Sequence, residues 1–206
     1  MIGFDSYFVD RLWPGLAFWG LLYISDYYLT LICARLYHRG ARNTLVLEGS
    51  YEITPYFQAD IDALRTVSPR FIAAFAWTET WLAATWWFSH QSTAALYEMV
   101  FGAMVLVELA VHIRHLRNLF LFRAIVGSDQ VQGRIQYARP LSLRISAVEL
   151  YGFTALFFLL FVFTQTWFTL GGTLSCFVTA TKHLRLAQKA SSAKASETQP
   201  SVVTQA

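Results

Sequence analysis

"TAALYEMVFGAMVLVELAVHIRHLRNLFLFRAI", residues 93–125, decides the fold. Residues 93–113 are apolar over the roughly 20 positions a helix needs to cross a bilayer, broken mainly by Glu98, Glu108 and His112. The remainder keeps an apolar helical rhythm to about Ile125, so the helix is expected to continue beyond the membrane. Glu108, His112 and His115 fall at i, i+4 and i+7, which on a helix places them along one narrow stripe. A carboxylate and two imidazoles on one face of so greasy a segment need a physical reason.

The rest of the chain has the same character. Of 206 residues, 55% are hydrophobic and only 14% charged, with a mean hydropathy of +0.40. Soluble domains carry about 25% charged residues, so the composition points to a membrane protein. Four more segments are long and apolar enough to span: 14–36, 71–88, 145–164 and 168–184. Only "SHQS" separates the second span from the third, and only "QTW" the fourth from the fifth. Both connections predict antiparallel helical hairpins. The fold class is therefore all-α, a polytopic bundle of about five transmembrane helices forming one domain over residues 1–190. The polar, small-residue stretch 191–206 reads as a disordered tail.

Charge sets the orientation. Five spans put 37–70, 114–144 and 185–206 on one side, and with the adjoining helix ends that side holds fifteen of the sixteen Lys and Arg residues. Only Arg11 lies opposite. The positive-inside rule then predicts an outer N-terminus and a cytoplasmic C-terminus. Trp13, Trp86, Trp87 and Trp167 fall at the outer boundary, where indoles prefer to sit. The N-terminus lacks the basic region and cleavage site of a signal peptide, so the first span is expected to stay. Dispersed basic residues at helix ends suit attraction to anionic headgroups at the cytoplasmic face, and not nucleic-acid binding.

Two Ser/Thr-Pro pairs punctuate the first basic linker: Thr54-Pro55 and Ser68-Pro69. Each predicts an N-cap followed by proline at the first helical position. The first would open a short amphipathic cytoplasmic helix ending near Thr66, with Phe57, Ile61 and Leu64 on one face and Asp60, Asp62 and Arg65 elsewhere. The second would open the second span. Cys33 and Cys176 lie in apolar segments and read as small hydrophobes without a disulfide or metal-knuckle pattern.

Ionisable groups inside spans are functional candidates by default, because burying each in hydrocarbon costs at least about 2.5–3.5 kcal/mol. Five carboxylates qualify: Asp26, Glu79, Glu98, Glu108 and Glu149. Asp26, Glu79, Glu108 and Glu149 sit on four different helices and are expected to converge near His112 in the inner half of the bundle. They must share hydrogen bonds, line a wet cavity or hold a cation. A divalent metal on Glu108, His112 and His115, completed by another acid, is one reading, since Glu and His one turn apart resemble half of a bundle metal site. The other is structural: His112 and His115, with Arg114 and Arg117, anchoring the cytoplasmic boundary.

Asp26 and Thr30 share a face of the first span, and Glu48, Glu52 and Pro55 follow in the linker. An Asp-xxx-Thr first helix and an acidic residue shortly before proline resemble small bacterial multi-pass membrane proteins of unknown function. Thr54 stands where that pattern carries Asn. The resemblance covers about 40 residues and implies a bacterial cytoplasmic membrane, but no activity.

No P-loop, GxGxxG, HExxH or GxSxG pattern is present. Three functions stay open: a small cation- or proton-coupled transporter or channel, working as a homo-oligomer; a membrane-embedded metal-dependent enzyme; and a scaffold. Acids spread over four helices favour the transporter.

Overall fold

The computed structural model describes residues 4–51, 54–128 and 131–198. In chain order the elements are α1 (Phe4–Val9), α2 (Leu12–Leu36), a π-helical turn (Tyr37–Ala41), α3 (Arg42–Thr44), β1 (Leu45–Leu47), α4 (Gln58–Asp62), α5 (Pro69–Gln91), α6 (Ala94–Gly127), β2 (Ile135–Tyr137), α7 (Arg139–Thr164) and α8 (Trp167–Thr198). The protein is mostly helical. Three helical stretches are long and apolar enough to cross a membrane: Leu12–Thr44, Ala94–Gly127 and Arg139–Thr164. α5 and α8 have the length but are less apolar, interrupted by Thr78, Glu79 and Thr80 in one and by Thr169, Gly171, Gly172, Thr173 and Ser175 in the other.

α6 is the hub, packing against α2, α5 and α8, while α7 packs chiefly on α8. The direction of each helix follows from its pairs. Trp19 Nε1 donates to Thr78 Oγ1 at 3.0 Å, and Tyr27 stacks on Phe71 at 4.3 Å, so α5 runs antiparallel to α2. Ser25 meets His112 and, further along both helices, Thr30 meets His115, so α6 runs parallel to α2. The hairpins form at Ser92–Thr93 and at Gln165–Thr166, where Gln165 takes a left-handed conformation to end α7.

Parallel α2 and α6 deliver their following linkers to the same end of the bundle. There Leu45, Val46 and Leu47 pair in parallel with Ile135, Gln136 and Tyr137. This small ribbon is an addition to the all-α architecture expected from the sequence. Glycine is required beside both strands, since Gly49 and Gly133 each adopt φ of 91°.

The linker helix is also shorter than expected. α4 starts after a turn closed by Phe57 N to the Thr54 carbonyl, and Leu64 in a left-handed conformation ends the helical path. Its apolar face is as read: Ile61, with Phe57 and Leu64, packs against Tyr27, Leu31 and Ala34 of α2. Asp60, however, turns inward. It accepts from Ser68 Oγ at 2.6 Å and from Arg65 at 2.9 Å, with Arg70 at 3.9 Å. Ser68 also caps α5 by accepting from Phe71 N at 3.2 Å, ahead of Pro69. Glu52 lies outside the described residues, as do residues 199–206 of the segment read as a tail. Before them, α8 runs on to Thr198.

Two predictions follow from this packing. A Cβ on Gly102 would meet the Phe168 carbonyl, and one on Gly171 the Met99 carbonyl, so α6 and α8 touch through backbone. Gly171→Val should destabilise the bundle by about 1–3 kcal/mol or more, read as a lowered melting temperature in detergent. The second concerns pH. The Ser68 hydroxyl, then the Arg70 and Arg65 charges, hold the Asp60 carboxyl below its ordinary value of 3.8, outweighing burial. A depressed folded value means stabilisation present above about that pH and lost as pH falls below it. Amide protection factors over residues 58–65, referred to the intrinsic rate at each pH, should fall in acid, and in Asp60→Asn already at neutral pH.

Candidate functional site

The α2–α6 seam is apolar at both ends. Trp19, Leu22, Phe101 and Val105 close one end; Cys33, Tyr37, Leu119 and Phe122 close the other. Between them lies a polar layer. Asp26, Glu108 and His112 each offer a ligand atom, all within 4.8 Å of one another. The parallel register makes this possible: residues on the two helices advance together, so a polar stripe on one stays opposite a polar stripe on the other.

Neighbours fix each group. His112 Nδ1 lies 2.8 Å from the Glu108 carbonyl, which can only accept, so Nδ1 carries the proton. Nε2 then accepts from the Ser25 hydroxyl at 2.7 Å, which has the Leu22 carbonyl at 2.9 Å as its other acceptor, so a metal on Nε2 would return that hydroxyl to Leu22. Metal-binding histidines show the same division of roles. His115 is buried, with Nε2 at 3.2 Å from Thr30 Oγ1 and 3.3 Å from Asp26 Oδ1. It belongs to the interior layer and not to a solvated boundary. Glu108 Oε1 and His115 Nδ1 are buried without a hydrogen-bond partner among the described residues.

The structure therefore brings Asp26, Thr30, Glu108, His112 and His115 together. It leaves Glu79 and Glu149 elsewhere. Glu79 packs against Gly20, six residues up α2 from Asp26, with Tyr97 in electrostatic reach. Glu149 pairs with Arg117 on a different face of α6. That ion pair takes Glu149 out of the cluster expected near His112. Glu98 is ten residues before Glu108, about 15 Å along the helix.

Sequence reading missed Ser25, whose only signal is its place beside Asp26. It also missed the relay from Arg114 to Ser146 and on to His183. Comparison with protein-family models, curated protein sequences and solved structures finds no match to this chain.

Two carboxylates and one imidazole are a mixed oxygen–nitrogen set. Calcium and magnesium sites are built from oxygen, whereas imidazole suits zinc, iron, copper and nickel. Donors around one such ion, at about 2.0–2.2 Å each, stand at most about 4.4 Å apart. Three donors spread around the ion stand about 3.3–3.8 Å from one another, so side-chain adjustments of about an ångström would close the set.

Proposed function

We propose that this protein is a five-span membrane protein, N-terminus outside and C-terminus cytoplasmic, that binds a divalent transition-metal ion at Asp26, Glu108 and His112 and moves cations through the bundle. The observation that carries the reading is the convergence of these three donors within 4.8 Å between apolar helices. His115, itself bonded to Thr30, stands against Asp26 from outside the donor set.

Five spans are supported by outward-facing apolar side chains on the two less apolar helices. Trp77, Trp81 and Phe88 on α5 and Leu174, Phe177 and Val178 on α8 are exposed. In water so continuous an apolar surface would be an association liability; in lipid it is what a span presents. The cation path is supported by polar groups that stand beyond the centre, among the apolar cluster of Trp19, Leu22, Phe101 and Val105, which would have to open for a cation to pass. Tyr23 is in electrostatic reach of Asp26 and Glu108. Glu79 and Tyr97 follow toward the proposed outer face, the Tyr97 hydroxyl buried without a hydrogen-bond partner among the described residues. The compactness of the donor set favours a second reading, a metal-dependent membrane enzyme.

Elemental analysis of the full chain, loaded and then dialysed, tests the centre. About one metal per chain is expected, lost on chelation, with Asp26→Asn and Glu108→Gln binding far less. His115→Gln should weaken binding roughly 10–100-fold, as outer partners of metal ligands do. Metal-dependent flux in proteoliposomes tests the path: Glu79→Gln should slow flux while leaving metal content intact. Bound metal without flux would favour the enzyme. Neither metal nor flux, with acid-to-amide changes lowering only stability, would leave a scaffold.

A further inference from the structure

α6 has a second polar face. On a helix advancing about 100° per residue, Arg114, Arg117, Asn118 and Leu121 point away from the stripe of Glu108, His112 and His115. They line a cavity of about 290 Å³ beneath the β1–β2 ribbon, closed on the far side by the first turns of α7. Small-molecule sites begin at roughly this size.

Its charges do not balance. Among the described residues Arg114, Arg117 and Arg139 line it with Glu48 and Glu149, so cations exceed carboxylates by one. Glu149 is taken by Arg117, and Glu48 accepts the Arg139 backbone N–H at 3.1 Å. Among the described residues no ion pair involves the Arg114 or Arg139 guanidinium, and Arg114, half-buried, spends one donor on Ser146. A partly buried guanidinium without an anion is an unfavourable arrangement that a bound anion relieves. The walls are apolar. Leu45, Leu47, Phe122 and Leu143 line the interior, and Leu121 and Ile145, both exposed, form part of the rim.

We infer that this cavity binds one anionic phospholipid, its phosphodiester held by Arg114, Arg117 and Arg139 and its acyl chains leaving over Leu121 and Ile145. The single negative charge of a phosphodiester matches the single excess cation, and forked guanidinium donors match phosphate oxygens. The apolar rim selects a lipid over a soluble phosphate. A zwitterionic headgroup would bring its own cation to a site already in excess.

The test is native mass spectrometry of the full chain from nanodiscs of mixed phosphatidylglycerol and phosphatidylcholine. One retained phosphatidylglycerol per chain is expected, preferred about ten-fold over phosphatidylcholine. Arg139→Gln, on an exposed side chain, should reduce retention roughly ten-fold, the worth of one charge-assisted contact; Arg114→Gln should do the same where it folds. Glu149→Gln, which frees Arg117, should increase retention. Arg35→Gln, distant and bonded to Thr66, should leave it unchanged. Equal retention of both lipids, or retention indifferent to Arg139 and Glu149, overturns the site in favour of diffuse surface attraction. Binding of inorganic phosphate alone, dependent on Arg139 while phosphatidylglycerol is not retained, overturns the lipid assignment.

Discussion

The polar layer between two parallel helices is the constraint on which the rest of the structure depends. Asp26, Glu108, His112 and His115 lie together only because α2 and α6 run in the same direction with matched register. Parallel neighbours in a bundle cannot be joined by a tight turn. An intervening antiparallel helix is needed, and α5 is that helix, capped by Ser68 at one end and turned back at Ser92 at the other. The same parallelism sends both linkers to one end, where their pairing as β1 and β2 is its consequence and not a separate feature.

Apolar closure above and below gives this layer its chemical meaning. In a low-dielectric interior a satisfied polar network is strengthened and an unsatisfied one is penalised. Trp19 and Phe101 on one side, and Cys33 and Leu119 on the other, keep the layer from being a mere extension of solvent. Glu108, with one oxygen lacking a hydrogen bond among the described residues, is the group for which a cation makes the largest difference. Transition-metal binding and structural locking both use these contacts; what would separate them is whether the donor atoms, within 4.8 Å of one another, turn to one point.

Local patterns in the chain were sufficient for the helices and for much of the site. Run length located all five long helices, Ser68-Pro69 marked the start of α5, and the i, i+4, i+7 spacing put Glu108, His112 and His115 on one stripe. Depth in the membrane was a poorer guide. It grouped Glu149 with Glu108, because both lie in the same half of their helices, yet α7 approaches α6 from another side and Arg117 claims Glu149. Azimuth decides partners in a bundle, and no single helix reports its neighbour's azimuth. The inward turn of Asp60 was hidden for a related reason: amphipathic spacing ranks it as polar and hence outward, while Ser68, eight residues later, supplies the hydrogen bond that permits burial. The β ribbon, three residues on each strand, is too short to leave an alternating pattern.

α6 joins the two candidate sites, and its sequence explains why they differ. One stripe presents acids and imidazoles to α2; the opposite stripe presents arginines to α7. Arg114 is near enough to Glu108 for its charge to be felt there, although it lines the other cavity. An anion on Arg114 would screen that charge and strengthen the pull of Glu108 on a cation, whereas a vacant Arg114 would oppose cation binding. Were both proposed sites to fill, their occupancy would be linked in the favourable direction through one helix, with no conformational change required. By reciprocity, filling the acidic centre with a cation would tighten the hold on an anion across the helix by the same factor.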